Sequence, residues 1–158
     1  GKNMAPRQHM RKMKVGKVTF TEAYKAVNEY RQKFPQKAVT FYAQNYPAMG
    51  WAVFMAGGSC PVIPCTDKAF LKDAAAMEVE ETSTDEYKKM VKSDIGSIIY
   101  SKSGTEIPVQ LSSGKYSLKY IHPASGKIET INKSLKINGL YNLKVPDKKE
   151  GIYWFHKL

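Results

Sequence analysis

The residues best suited to acid–base chemistry in this chain stand together in one acidic run. Between Glu78 and Glu86 there are five carboxylates and three hydroxyl residues. Paired carboxylates can cleave a glycosidic bond as acid and base, and clustered ones can bind calcium. Both functions need side chains that converge, and the run lacks EF-hand spacing. We therefore expect a solvated linker, with Glu80 and Glu81 as the residues to test for hydrolysis.

Histidine offers a second route to chemistry, through a Ser/His/Asp arrangement. The three histidines, His9, His122 and His156, are far apart in the sequence, and no GxSxG motif supplies a nucleophile. His122 precedes a proline, so we interpret it as a turn residue. His156 follows Tyr153-Trp154-Phe155 in a terminal strand, whose aromatic residues we expect to fill a core or to cover a sheet edge. No catalytic residue is predicted from these patterns.

Cysteine and glycine mark the next segment. Cys60 and Cys65 flank Pro-Val-Ile-Pro, and two cysteines without further ligands do not make a tetrahedral zinc site. A disulfide and two buried thiols both fit the spacing, and we favour the thiols. The stretch 57–59, Gly-Gly-Ser, lacks the rest of a phosphate-binding motif, so it indicates a helix end. We expect neither a metal nor a cofactor.

Aromatic side chains are the best candidates for binding. Sugar rings and nucleobases stack on aromatic faces, so exposed tyrosines in strands can form a platform. Alternation places Tyr116 and Tyr120 on one face with Leu118, which favours a core position instead. The candidate platform residues are Tyr100, Tyr116, Tyr120, Tyr153 and Trp154.

The charge of the chain points to an anionic partner. The formal net charge is +11 over 158 residues, which favours an acidic polysaccharide, a nucleic acid or a lipid surface, although a lysine-rich soluble surface explains it equally well. Residues 1–18 form a basic arm that we expect to be flexible. The longest apolar run, 49–58, is too short to span a membrane, and no signal-peptide core is visible.

Three helices are predicted before residue 78. Thr19 and Glu22 form a capping box for the first, which Pro35 ends. The second begins at Pro47 and ends before Gly57, and it is apolar on all sides, so we expect a catalytic domain or a second chain to cover Met49–Met55. Thr66 should cap the third, from Asp67 to about Met77. The residues expected to face inward are Ala23, Ala26, Val27, Tyr30 and Phe34 in the first helix and Phe70, Leu71, Ala74 and Met77 in the third.

The remaining sequence alternates apolar and polar residues between turn signals, as antiparallel strands do. We predict strands at about 87–92, 97–102, 106–112, 115–122, 127–137, 139–145 and 151–157. Lys119, Lys133, Lys136 and Lys144 should place charge on outward positions of edge strands. The fold class is α+β: a small antiparallel β-sandwich of about six or seven strands preceded by two or three helices. The predicted units are the arm 1–18, a helical segment 19–85 and the β-sandwich 86–158.

The stretch 98–128, IIYSKSGTEIPVQLSSGKYSLKYIHPASGKI, and the closing 151–157, GIYWFHK, resemble a known domain. It is the C-terminal, collagen-binding-like β-sandwich of bacterial glycoside-hydrolase-like proteins. The stretches 51–64 and 70–77 are similar to the end of the (β/α)₈ barrel that precedes it. Such a barrel needs about 250 residues, so no catalytic residue is carried over. The resemblance implies a barrel remnant, a fragment or relative of a larger protein, and a periplasmic or extracellular location.

Our leading hypothesis is a non-catalytic accessory domain of a carbohydrate-active protein. It would pack on a catalytic body or bind a glycan. The net charge of +11 favours an acidic glycan. One alternative is a small glycan-cleaving enzyme with a site near residues 57–65 and the acidic run. A second alternative is a basic nucleic-acid-binding module, although no DNA- or RNA-binding motif supports it.

Overall fold

The computed structural model describes residues 18–40, 47–59 and 61–158. Three helices precede the strands in this part of the chain. They are α1 (Phe20–Lys33), α2 (Pro47–Met55) and α3 (Lys68–Ala76), followed by β1 (Glu78–Glu80), β2 (Tyr87–Lys92), β3 (Gly96–Ser101), β4 (Glu106–Gln110), β5 (Gly114–Ile121), β6 (Ile128–Ile137), β7 (Leu140–Lys144) and β8 (Gly151–Lys157). The predicted α+β class, a sandwich with helices before it, is confirmed.

Helix α1 begins at the predicted capping box. Thr19 Oγ1 accepts a hydrogen bond from the Glu22 backbone N–H, and a Glu22 carboxylate oxygen accepts one from the Thr19 N–H. Ala23, Tyr24 and Val27 are buried on one face of the helix, and Ala26 is half-buried. Two further residues predicted to face inward, Tyr30 and Phe34, are instead 57% and 43% exposed. That prediction is wrong because the last turn of α1 extends past the core.

Helix α2 is covered by the chain itself. Its side chains from Trp51 to Met55 are at most 7% exposed, and Met49 is 5% exposed. They pack among residues of α1, α3 and the sheet in one apolar cluster. The burial of this helix therefore needs no second chain, unlike what its composition indicated.

Helix α3 starts one residue later than expected. Asp67, rather than Thr66, is the N-cap, and its Oδ1 accepts from the Phe70 N–H at 2.8 Å. Phe70 and Ala74 are buried with Met77, which follows the helix, whereas Leu71 is 41% exposed. The inward prediction for Leu71 is therefore wrong, because the core side of this short helix is narrower than the apolar pattern suggested.

The strands form two antiparallel sheets. One has six strands in the order β1-β2-β3-β8-β5-β6, and the other is the pair β4-β7. All seven predicted strands are present within one or two residues of the expected bounds. Strand β1 was not predicted, since it lies in the acidic run that we interpreted as a linker. It pairs with β2 through Glu78, Val79 and Glu80.

The six-stranded sheet is the middle of three layers. On one face Ile98, Ile152 and Trp154 pack against the helices. On the other face Ile99, Leu118 and Phe155 pack against β4 and β7. Strand β3 is consequently buried at all six positions. The helices and the sheet share a core, while the boundary predicted near residue 85 stays a prediction.

The outer edges of the large sheet are β1 and β6. Lys133 and Lys136 are exposed on β6, as predicted for an edge strand, and Lys144 is exposed on β7. Lys119 is different, because β5 lies inside the sheet and its ammonium stacks 4.8 Å from the Trp154 ring centre. The pairing of β6 with β5 has two register shifts, which bend the edge. The predicted basic arm, except Val18, and Cys60 lie outside the described residues.

Candidate functional site

The five aromatic residues predicted as a binding platform are buried. Tyr100 and Trp154 are 8% and 0% exposed, and they lie on the face of the sheet under the helices. Tyr116, Tyr120 and Tyr153 are at most 5% exposed on the opposite face, under β4 and β7. The platform prediction is corrected accordingly, because a sugar ring cannot stack on faces that both sides of the protein already cover.

The polar ends of these aromatics also have partners inside the protein. The hydroxyls of Tyr120 and Tyr153 donate to the backbone oxygens of Glu150 and Lys149 at 2.7 and 2.8 Å. The Tyr100 hydroxyl donates to the Glu150 carboxylate at 2.9 Å. Burial raises the pKa of Tyr153 to about 12, and burial followed by the Glu150 carboxylate raises the pKa of Tyr100. These phenols therefore remain neutral hydrogen-bond donors that hold the fold together.

Within the described residues, one surface that could accept a ligand is a cleft of about 650 Å³ on the helical side. Four elements enclose it: the end of α1, the turn after α2, the outer side of α3, and β1. Its floor is apolar and includes Phe54, Ala74 and Met77, which are buried. We call it the α1–α3 cleft, and its other lining residues are Asn28, Arg31, Gln32, Pro35, Gly57, Gly58, Pro61, Leu71, Ala75, Glu78, Val79, Glu81 and Met90.

The polar wall of the α1–α3 cleft is organised around Glu81. Asn28 and Gln32 are four residues apart on α1, so they lie on the same face of the helix. Both side-chain amides donate to Oε1 of Glu81, at 3.2 and 3.3 Å. Each amide keeps a carbonyl oxygen and a second N–H for other partners. The wall therefore presents donors and acceptors side by side.

The turn after α2 brings bare backbone to the same cleft. Gly57 has a φ of +71°, the left-handed conformation that favours glycine. A Cβ at this position would collide with the Arg31 guanidinium, whose Nη1 donates to the Ala56 backbone oxygen at 3.4 Å. The Arg31 side chain can move aside, so it is the left-handed backbone that favours glycine here. The expected role of this segment as a helix end is confirmed, and it also forms part of the cleft.

The rest of the acidic run forms ion pairs with lysines of β2, so it is not the solvated linker that we expected. Glu80 pairs with Lys89 at 2.7 Å. Asp85 pairs with Lys88 at 3.2 Å, and the hydrogen bond from Lys88 lowers the pKa of that carboxyl. Lys88 itself is buried, with its ammonium 4.8 Å from the Tyr24 ring centre. Within the run, Glu78 and Glu81 are the carboxylates that line the cleft.

A buried carboxylate that the sequence analysis did not single out joins α3 to β8. Oδ2 of Asp73 accepts from the Trp154 indole N–H at 2.9 Å and lies 2.7 Å from Nδ1 of His156. Asp73 is 6% exposed, whereas about a third of the His156 side chain is exposed. Ser117 lies opposite His156 on β5, but its Oγ is buried and forms no hydrogen bond to the described residues. The arrangement has the histidine and carboxylate of a triad and lacks an accessible nucleophile.

His122 lies at the turn after β5, as predicted. Its Nε2 is 3.1 Å from Oε1 of Glu129, and Lys149 Nζ is 3.3 Å from the other carboxylate oxygen. The nearby His122, followed by Lys149, lowers the pKa of Glu129. The Trp51 indole N–H donates to the Pro123 oxygen at 2.8 Å, which ties this turn to α2. The group is best explained as a structural contact between the turn and the core.

Cys65 is a buried free thiol, 3% exposed, and burial raises its pKa. A buried thiol with a raised pKa is a poor nucleophile. The expected pair of thiols stays a prediction for Cys60. Among residues 18–40, 47–59 and 61–158, no three His, Cys, Asp or Glu side chains are grouped to hold a metal ion. None of the three described helices is long and apolar enough to cross a membrane.

Comparison with known proteins gives weak likenesses. Residues 1–77 match a family described as a domain of unknown function (DUF6298). The search of curated proteins found no match. A solved structure titled "Glycoside hydrolase" is similar over 52% of this chain and 20% of its own, with 14% identity and a TM-score of 0.38. A second, titled "Crystal structure of CapF with inhibitor 3-isopropenyl-tropolone", is similar over 88% of this chain and 44% of its own, with 13% identity and a TM-score of 0.24. The chain thus spans about a fifth and under half of these two proteins.

Proposed function

We propose that this chain is a non-catalytic accessory module of a carbohydrate-active protein, which holds a glycan in a fixed orientation to a catalytic body. The observation that carries the proposal is the core shared by the helices and the sheet. The centre of the Phe70 ring in α3 lies 5.3 Å from the centre of the Trp154 ring in β8 and 6.2 Å from that of Trp51 in α2. The sheet is thereby attached rigidly to the helices before it.

The sequence resemblance suggests what this rigid attachment is for. The segments that resemble the end of a catalytic barrel are those that form α2 and α3, and the segment 98–128 resembles the accessory sandwich. A rigid attachment keeps an accessory domain at a set distance and angle from the body that precedes it. The same resemblance supports a periplasmic or extracellular location. Fractionation of the source cells would test this location.

A glycan array at moderate salt tests the proposal, with heparin and DNA as polyanion controls. Selective retention of one glycan, without hydrolysis of it, is the expected result. Equal retention of every polyanion would reduce the binding to net charge and contradict the accessory role. Binding through charge alone also weakens steeply with added salt, whereas binding through hydrogen bonds and apolar contact does not.

One observation keeps a second function in view. The α1–α3 cleft is lined both by Gly57 and Gly58 and by the carboxylates Glu78 and Glu81, the two segments expected to form the site of a small glycan-cleaving enzyme. This enzyme would be favoured if the wild-type chain hydrolyses a retained glycan and the Glu81→Gln variant does not. Glu80→Gln is the matched control, because Glu80 pairs with Lys89 on the strand and does not line the cleft.

A further inference from the structure

We infer that the α1–α3 cleft is the glycan site and that it binds an uncharged sugar. This inference rests on the proposed function and names the place where it is carried out. It replaces the buried aromatic platform as the binding surface, and it changes the expected ligand from an acidic to a neutral glycan.

The size and composition of the cleft fit a short piece of oligosaccharide. Ligand-binding clefts usually enclose about 300–1,000 Å³ and combine an apolar lining with a few fixed polar groups. Here the volume is about 650 Å³, the floor is apolar, and one wall carries Asn28, Gln32 and Glu81. A pyranose ring has the matching form, with an apolar C–H face and hydroxyls around its rim.

The hydrogen-bonding groups on the wall match sugar hydroxyls. Each hydroxyl donates one hydrogen bond and accepts others, so it pairs best with a surface that offers both. The amides of Asn28 and Gln32 offer N–H groups and carbonyl oxygens, and their bonds to Glu81 hold them in place at 3.2 and 3.3 Å. Ordering these groups before the ligand arrives lowers the entropy cost of binding.

The charge of the cleft selects against acidic glycans. Its charged lining residues are the guanidinium of Arg31 and the carboxylates of Glu78 and Glu81, which leaves one excess negative charge. A uronate or sulfate in this space would meet two carboxylates at close range, and like charges repel. The strongly basic composition of the chain therefore does not describe the charge of this cleft.

Two neighbouring alanines on α3 provide a matched pair of variants. Ala75 lines the cleft and Ala76 does not, and both are exposed in the last turn of the helix. Ala75→Trp should fill the cleft without altering the buried core, and Ala76→Trp adds the same side chain outside it. Circular dichroism of both variants confirms that each remains folded.

The experiment titrates the ¹⁵N-labelled chain with cellotetraose, xylotetraose, mannotetraose and chitotetraose, and with a heparin-derived tetrasaccharide as the anionic probe. We expect one neutral tetrasaccharide to shift the side-chain amide signals of Asn28 and Gln32. Ala75→Trp should abolish the shifts, Ala76→Trp should retain them, and Asn28→Ala should weaken affinity by about two- to tenfold, the loss of one hydrogen bond.

Each other outcome has a definite meaning. A neutral tetrasaccharide that binds wild type and Ala75→Trp equally overturns the cleft assignment and leaves the accessory function standing. Binding of the heparin fragment alone overturns the charge argument. No binding of any probe to the folded chain overturns both the cleft and the glycan-holding function.

Discussion

Replacing Phe70 with alanine should destabilise the protein far more than the same change at its neighbour Leu71. Phe70 is fully buried between Trp51 and Trp154, whereas Leu71 is 41% exposed. Large-to-small changes of a buried phenylalanine cost about 3–5 kcal/mol. Removing a leucine side chain that keeps nearly half its exposure should cost about 1 kcal/mol. Native proteins are stable by only about 5–15 kcal/mol, so Phe70→Ala removes a large fraction of the total.

Urea unfolding followed by tryptophan fluorescence measures both variants. The chain has two tryptophans, Trp51 in α2 and Trp154 in β8, and both are buried. Far-UV circular dichroism of the same samples should give the same midpoint, because helices and sheet share one core. The thermal midpoint of Phe70→Ala should fall by about 6–20 °C. Equal losses for the two variants, or separate transitions for fluorescence and dichroism, would refute the packing of α3 on the sheet.

Three further predictions follow from named contacts. Asp73→Ala should lower the free energy of unfolding in urea by about 1–3 kcal/mol, because it leaves the buried Trp154 N–H without its acceptor. The control Asp94→Ala, in an exposed turn, should cost little. Equal losses for the two variants would contradict this prediction. The free energy of unfolding should fall as pH rises from 10 to 12, because burial raises the pKa of Tyr153 to about 12, so the unfolded chain loses this proton first; a Tyr153→Phe chain that falls just as steeply would count against it. A chain of residues 18–158 should bind DNA more weakly and with a shallower salt dependence, since it lacks six cationic residues; unchanged binding would assign the charge effect to residues 18–158.

The elements of the fold were largely predictable because their signals are local. The capping box at Thr19 and Glu22 needs four consecutive residues, and the alternation in β5 needs eight. The residues of the α1–α3 cleft gave no such signal. Asn28 and Glu81 are 53 positions apart, and Asp73 and His156 are 83 apart. The packing of α1 beside the end of β1 brings the first pair together, and the packing of α3 on β8 brings together the second pair, which lies outside the cleft. No spacing in the sequence encodes either contact.

The aromatic residues were misassigned for a different physical reason. Alternation tells which side chains share a face of a strand, but it does not tell whether that face meets solvent. In this fold α2 and α3 cover one face of the large sheet, and β4 and β7 cover the other. Tyr120 and Trp154 therefore lie on opposite faces and are both buried. A sheet in the middle of three layers offers no open platform at its centre.

Net charge and binding site are separate properties of this chain. The first 17 residues contain six of the 25 lysines and arginines and none of the 14 acidic residues, so the rest carries a net charge of +5. The lining of the α1–α3 cleft is negative, because it has two carboxylates and one guanidinium. Attraction to polyanions through a basic segment is long-ranged and screened by salt, whereas contact inside a cleft is short-ranged and little affected. Binding to a polyanion and binding to a neutral sugar should therefore be separable: deleting the first 17 residues should weaken the former, and Ala75→Trp should abolish only the latter.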